Sequence, residues 1–161
     1  MSINMKRLVS VILFIFIGCM SVSAQGKNNL LSDRGYVGNV GLSVSAGYGV
    51  GADLFTSHGY SFGNGLWVGG GTGLSFPSPY DLFLPLYSEI KYSFLADRRV
   101  SPFLSARVGG MTNFEDSVMI LAPEIGVDIG RVSIFLSADF KAVGAIRYSI
   151  GVCWNYRSRG A

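Results

Sequence analysis

The amino-acid sequence predicts an all-β protein: an eight-stranded antiparallel up-and-down transmembrane β-barrel, preceded by a cleaved signal peptide. The first observation is a basic and then apolar N-terminal segment, which is typical of exported chains. The second is a series of long segments in which polar and apolar residues alternate, separated by turn residues and without a helical period. The third is the polar face of these segments, where balanced charges stand among many glycines and serines. This composition favours a narrow lumen over a water-exposed surface.

The first 24 residues have the parts of a secretory signal peptide. Lys6 and Arg7 form a basic region, residues 8–20 form an uncharged apolar run, and small residues precede the expected cleavage after Ala24. Two alternatives stay open. An uncleaved anchor would need roughly 20 apolar residues to cross a bilayer, and this run has 13. A lipoprotein signal ending at Cys19 is the other, because the letters FIGC resemble a lipobox.

Charge and cysteine content exclude several classes of protein. The formal net charge is +3, but without Lys6 and Arg7 the 13 basic residues become 11, against 10 acidic ones. The mature chain therefore has no basic excess with which to bind nucleic acid or acidic lipid. Cys19 is removed with the signal peptide, so Cys153 has no partner for an internal disulfide. The stability of an exported domain must then come from another source.

The mature chain divides into a short periplasmic tail over residues 25–34, a barrel domain over 35–156 and a C-terminal tail over 157–161. Eight alternating segments lie in the barrel domain, and most are nine to fourteen residues long. The predicted strands cover residues 36–48, 53–62, 66–76, 82–95, 102–112, 119–130, 132–140 and 145–156.

Short links between these strands favour a barrel, since an up-and-down barrel is a series of hairpins. Strands of about ten residues tilted near 45° also match the thickness of a bilayer. The expected location is the outer membrane, with outer-membrane lipids as the surroundings. The alternative from another class is a soluble secreted β-sandwich or a lipocalin-like binding module, in which the apolar face would point inward.

Within each predicted strand, the charged residues alternate with the apolar residues and therefore lie on the opposite face. Four are acidic and four are basic, as expected of a narrow lumen in which charges must neutralise one another. The predicted lumen network consists of Glu89, Lys91, Arg107, Glu124, Asp128, Asp139, Lys141 and Arg147. We expect ion pairs among them to close the lumen, so that the protein serves a structural role or small-scale binding or permeation.

Aromatic residues cluster where the strands meet the predicted periplasmic interface, on the apolar parity. Such a girdle is typical of membrane barrels. Its predicted members are Tyr36, Tyr60, Phe62, Tyr92, Phe94, Trp154 and Tyr156. A second band is predicted at the opposite end, with Phe76, Tyr80, Phe83, Phe114 and Phe140.

The sequence contains no convincing set of catalytic residues. The single histidine, His58, shares its parity with Thr56, but Ser57 and Ser61 fall on the other face and no acid lies nearby on the outward parity. Because a nucleophile, a base and an orienting acid must meet, we predict no catalytic residues. A lipid A-modifying barrel enzyme is the less favoured alternative. One histidine and one cysteine in the mature chain give no metal-ligand spacing, so no metal and no cofactor is expected.

Three segments carry a family resemblance: TSHGYSFGNGLWVGGGTGLSF (residues 56–76), LPLYSEIKYSF (84–94) and SPFLSARVGG (101–110). They resemble the small outer-membrane β-barrel domain proteins of Gram-negative bacteria, over essentially the whole mature chain. The resemblance implies the barrel fold, a monomer in the outer membrane and insertion by the barrel-assembly machinery, but no chemistry. The chain departs from the family at its C-terminus, where RSRGA follows the aromatic Tyr156.

Overall fold

The structure, a computed structural model, describes residues 29–47, 49–78, 81–113, 115–142, 144 and 146–157. Each strand pairs antiparallel with the next, and the first pairs with the last, which closes the barrel. The strands are β1 (Arg34–Ala46), β2 (Val50–Phe62), β3 (Leu66–Ser78), β4 (Asp81–Ser93), β5 (Val100–Thr112), β6 (Ser117–Ile129), β7 (Val132–Lys141) and β8 (Ile146–Arg157). The predicted eight-stranded antiparallel up-and-down topology is confirmed.

Strand ends differ from the prediction by a few residues. β2 begins at Val50 and not at residue 53, because Val50 continues the ladder opposite Ala46. β5 likewise begins at Val100, which pairs with Ile129. Polar and glycine residues near a turn weaken the alternation signal, while backbone pairing across the hairpin continues through them. The predicted signal peptide, residues 25–28 of the predicted N-terminal tail and residues 158–161 of the predicted C-terminal tail lie outside the described residues.

The described part of the predicted N-terminal tail is folded. Asn29 caps a 3-10 turn (Leu30–Ser32) with its side-chain oxygen, which accepts a hydrogen bond from the Leu31 backbone nitrogen. Leu31 packs against Val37 and Trp67 at one mouth of the barrel. We call this the N-terminal mouth, and the opposite end the outer mouth. Two adjacent leucines in an otherwise polar segment anchor the turn, because Leu31 is buried and Leu30 packs against the same cluster.

The barrel is polar inside and apolar outside. Leu42 and Leu86 expose 59% and 72% of their surface on the outside, whereas Ser57 and Ser133 in the lumen are fully buried. The outward face of every strand is formed mainly by aliphatic and aromatic side chains. This polarity is the reverse of that of a soluble barrel and matches a barrel surrounded by lipid. No helix among the described residues is long and apolar enough to cross a membrane.

Glycines on the inward face make room for large lumen side chains. A Cβ atom added to Gly69 would lie 2.6 Å from the Trp67 indole, and one added to Gly126 would lie 2.5 Å from the Phe103 ring. Eight strands leave an interior that side chains alone fill. The many glycines of the sequence therefore permit aromatic packing inside the barrel.

Candidate functional site

The lumen holds the polar side chains that sequence analysis singled out, at successive depths between the two mouths. The N-terminal mouth is closed by Leu31, Val37 and Trp67, which are nearly inaccessible to solvent. The Trp67 indole nitrogen donates a hydrogen bond to the Val37 backbone oxygen, at 3.1 Å. The Leu31 backbone oxygen accepts hydrogen bonds from the Gly65 backbone and the Ser61 hydroxyl, at 3.3 Å each. The N-terminal turn is thus fastened to the wall it covers.

Next to this mouth lies an ion pair between Lys91 and Asp128, with Nζ and Oδ1 2.7 Å apart. Asp128 is 2% exposed and also accepts hydrogen bonds from the hydroxyls of Ser93 and Ser133. The Lys91 ammonium lies 3.8 Å from the centre of the Phe103 ring, which adds a cation–π contact. One ammonium and two hydroxyl groups thus donate to the Asp128 carboxylate inside the barrel.

The middle of the lumen is occupied by Arg107. Its guanidinium lies 3.0 Å from Oε1 of Glu124 and 3.4 Å from Oε2 of Glu89, so one cation serves two carboxylates. Ser57 donates to Glu89 at 3.0 Å and shares a 2.9 Å hydrogen bond with Tyr87. Because the single Ser57 proton goes to Glu89, the Tyr87 hydroxyl must donate to Ser57.

Aromatic rings surround this central guanidinium. Its carbon lies 4.6 Å from the centre of Phe55, 5.1 Å from Tyr87 and 5.4 Å from Phe135. Phe55 and Phe135 also make an edge-to-face contact at 5.7 Å. The central charges are thus packed among aromatic rings in the middle of the barrel.

Toward the outer mouth, Arg147 pairs with Asp139 at 2.7 Å and with Asp53 at 3.1 Å. Hydroxyls complete the shell of Asp53: Ser43 donates at 3.1 Å, and Ser75 donates to its other oxygen. Sequence analysis missed Asp53 as a lumen charge. The alternation pattern did contain this information, since Asp53 lies on the same face of the strand as Phe55 and Ser57. Asp53 was, however, the first residue of the predicted strand, where the direction of a side chain is least certain.

Lys141, a predicted member of the network, lies at the end of β7 near the outer mouth. Its ammonium is 5.9 Å from the centre of the Phe83 ring, and it forms no ion pair with any described residue. The structure therefore joins seven of the eight predicted charges in ion pairs and leaves the eighth at the rim. Between Arg107 and Arg147 lies a cavity of about 50 Å³.

The predicted aromatic girdle lies on the outside, around the N-terminal mouth. Tyr36, Tyr60, Phe62, Tyr92, Phe94 and Trp154 expose 41% to 50% of their surface, and Tyr156 is half-buried. Of the band predicted at the outer mouth, Phe76 and Phe140 point outward, Phe83 faces the lumen, and residues 80 and 114 lie outside the described part.

His58 belongs to a hydrogen-bonded group on the outer surface. Its Nδ1 atom contacts the hydroxyl of Tyr36 and lies 3.4 Å from that of Tyr156, while Nε2 lies 3.1 Å from the Thr56 hydroxyl. Thr56 donates its own proton to the Asn39 backbone oxygen at 2.8 Å. Neutral His58 must then donate from Nε2 to Thr56 and accept at Nδ1. Every polar atom of the ring has a partner, as a surface in lipid requires.

No catalytic constellation forms around this histidine. Ser57 and Ser61 lie inside the barrel, on the far side of the wall, and no described serine or carboxylate is hydrogen-bonded to the imidazole. Among the described residues, no group of three or more histidine, cysteine, aspartate or glutamate side chains is placed to hold a metal ion. Cys153 is a free thiol buried beside Phe55, Phe103 and Phe135, where it fills space.

Comparison with known proteins gives a likeness of fold. No family model and no curated protein matches the chain. The N-terminal β-barrel domain of Pseudomonas aeruginosa OprF superposes with a TM-score of 0.53 and 12% identity, covering 77% of this chain and 100% of that one. Neisserial surface protein A gives 0.53 and 15%, covering 76% and 96%. A de novo designed transmembrane β-barrel gives 0.53 and 12%, covering 78% and 99%. The chain thus shares the fold of small eight-stranded transmembrane β-barrels, as the resemblance in its sequence implied.

Proposed function

We propose that this protein is a monomeric, non-enzymatic β-barrel of the bacterial outer membrane, with a structural role and a lumen closed by internal ion pairs. The observation that carries the proposal is the reversed polarity of the wall: the paired charges and most serines point inward, and a mainly apolar surface points outward. In water, an exposed apolar surface of this extent would drive association. In a bilayer it is the surface that lipid chains solvate. Export through the N-terminal signal peptide and insertion by the barrel-assembly machinery belong to the same proposal.

Three successive obstructions along the barrel support closure of the lumen. The N-terminal turn covers one mouth, Arg107 and its aromatic neighbours fill the middle, and Arg147 bridges two carboxylates near the other mouth. The cavity between the two arginines has room for about three to five water molecules. Water can thus be trapped in the barrel without forming a continuous column through it.

Membrane placement is tested by fractionation and by gel mobility. We expect the chain expressed in a Gram-negative host to stay in the Sarkosyl-insoluble membrane fraction, and the unboiled protein to migrate differently from the boiled one, because a closed hydrogen-bonded barrel resists detergent at room temperature. Recovery in the soluble periplasm with no heat-dependent shift would contradict the proposal.

Closure is tested by planar-bilayer recording of the purified, refolded protein. We expect no steady conductance from the natural chain. An open porin reconstituted in the same bilayer serves as the positive control. Steady conductance of the natural protein would show that the lumen is open.

The absence of enzymatic activity is tested on lipid A, the substrate nearest to a barrel wall. We expect no change in the acylation of lipid A from cells expressing the protein, when the lipid is extracted and measured by mass spectrometry. A deacylated product that disappears with His58→Ala, but persists with Ser57→Ala, would assign chemistry to the outer histidine and overturn this part of the proposal.

A further inference from the structure

A pocket opens on the rim of the N-terminal mouth, between the N-terminal turn and two hairpins. It has a volume of roughly 510 Å³ and connects the membrane-facing surface with the solvent at that end. Its wall combines Asn29 and Asp33 from the turn region, Arg99 and Arg131 from the β4–β5 and β6–β7 links, Arg157 from the end of β8, and the apolar Ile129, Val132 and Trp154. We call it the rim pocket.

The charge of the rim pocket is positive. Three guanidinium groups face one carboxylate, and that carboxylate, Asp33, is 3.4 Å from Arg157. Arg157 also donates from Nη2 to the backbone oxygen of Asp33, at 2.9 Å, which fixes its position. Arg99 and Arg131 are exposed and have no carboxylate partner among the described residues. Two positive charges are therefore left over at a single site.

Two donors in the wall of the rim pocket lack an acceptor in the described part of the chain, the Nδ2 atom of Asn29 and the Nε atom of Arg157. Both atoms are buried within the wall. The donors that a ligand in the pocket can reach are the exposed guanidinium groups of Arg99 and Arg131. Their charge favours a ligand that brings oxygen acceptors and a negative charge.

An apolar track begins at the same place. Val132 and Trp154 line both the rim pocket and a neighbouring surface groove, which continues over Val40, Leu42 and Leu54. A third groove shares Leu42, Leu54 and Val152 with the second. It extends farther along the wall to Phe76 and Ile150. The three depressions form one continuous path on the outside of the barrel, polar at the rim and apolar beyond it.

We propose that the rim pocket and this track bind one anionic phospholipid of the periplasmic leaflet. The phosphate lies against Arg99 and Arg131, and an acyl chain follows the track across β8, β1 and β2. Guanidinium groups suit phosphate because their paired donors match its oxygens. At the opposite rim, the exposed acidic residues Glu115 and Asp116 disfavour phosphate. The inference rests on the proposed membrane location.

The fluorescence of Trp154 can report on lipid bound at the rim pocket. Trp154 is half exposed on the lipid side of the rim pocket, whereas Trp67, the other tryptophan, is 2% exposed inside the barrel. We would prepare Trp67→Phe protein in phosphatidylcholine vesicles containing phosphatidylglycerol. Two samples would be compared, one with bromine on the acyl chains of phosphatidylglycerol and one with bromine on those of phosphatidylcholine. Quenching of Trp154 fluorescence would be measured in each sample. Brominated phosphatidylglycerol should occupy the site about 25-fold more readily than brominated phosphatidylcholine, because each of the two unpaired arginines favours an anionic headgroup by about fivefold and the two factors multiply.

Matched variants separate a built pocket from general attraction to a basic rim. Arg99→Gln with Arg131→Gln should abolish the preference, and Arg98→Gln, next in sequence but outside the pocket, should keep it. Inorganic phosphate in the buffer should not displace the lipid, since it lacks the acyl chain. No preference in the parent protein, or equal losses in both variants, would overturn the lipid site, and displacement by inorganic phosphate would make it a site for free anions.

Native mass spectrometry of the natural chain provides a second measurement that does not depend on the Trp67 substitution. Protein extracted in mild detergent should retain phosphatidylglycerol in preference to phosphatidylcholine, and the double variant should retain both equally. Failure of the proposed function has a different signature: if neither brominated lipid quenches Trp154, the wall does not face lipid at all.

Discussion

Replacing Arg107 with methionine should lower the free energy of unfolding by about 3–5 kcal/mol, because removing one partner of a buried ion pair leaves uncompensated charge. The magnitude follows from burial: the side chain of Arg107 is 14% exposed, and those of Glu89 and Glu124 are 3% and 2% exposed. Exposed pairs are worth at most about 1 kcal/mol. Methionine keeps an unbranched apolar stem against Phe55 and Phe135, so the variant mainly removes the charge.

The assay is equilibrium urea unfolding of protein refolded into phosphatidylcholine vesicles, followed by tryptophan fluorescence and by the gel shift. Glu89→Gln and Glu124→Gln, added to Arg107→Met, should recover most of the loss, because no net buried charge then remains. Lys141→Met is the matched control, since that lysine forms no ion pair among the described residues, and it should change stability by less than about 1 kcal/mol. An Arg107→Met protein as stable as the control, or a triple variant as unstable as the single one, would refute the reasoning.

Three further predictions use the same unfolding assay. Asp53→Asn should lower stability by about 1–3 kcal/mol, since it weakens a charged hydrogen-bond cluster at the outer mouth; an unchanged midpoint would remove Asp53 from the network. Gly126→Ala should cost about 1–3 kcal/mol, because its Cβ would overlap a lumen aromatic ring. Gly110→Ala, whose nearest contact would be at 3.8 Å, should cost less, and equal effects would contradict the packing argument. Leu31→Ala should cost about 2–5 kcal/mol and shift Trp67 emission to longer wavelength as water enters the mouth, and unshifted emission would count against the proposed seal.

The alternation of polar and apolar residues predicted most of the fold, because each side chain of a strand must point to one of only two faces. The parity of Glu89, Lys91 and Arg107 placed them on the lumen side before any contact was known. Which charge pairs with which could not be predicted in this way. Arg107 pairs with both Glu89 and Glu124, and that arrangement depends on strand register and barrel stagger, which a one-dimensional pattern does not contain.

The parts that sequence analysis missed lie where alternation ends. Asp53 sits near a turn, so its direction had no flanking pattern to support it. The contact of the N-terminal turn with Val37 and Trp67 depends on Leu31, and the pair Leu30 and Leu31 within a polar segment has no alternation. The rim pocket is assembled from Arg99, Arg131 and Arg157, which are far apart in sequence and meet because β5 to β8 pair side by side.

The link between Arg147 and Asp53 spans 94 positions in the chain and joins the last strand to the second. During synthesis and insertion, Asp53 and Asp139 exist before Arg147 arrives. A partly assembled sheet would therefore present uncompensated carboxylates, and unpaired strand edges, to the hydrocarbon interior. Stepwise entry into the bilayer, one hairpin at a time, is disfavoured for this chain. We expect the strands to assemble first and the barrel to close as the strands enter the bilayer, because the lumen charges are then paired.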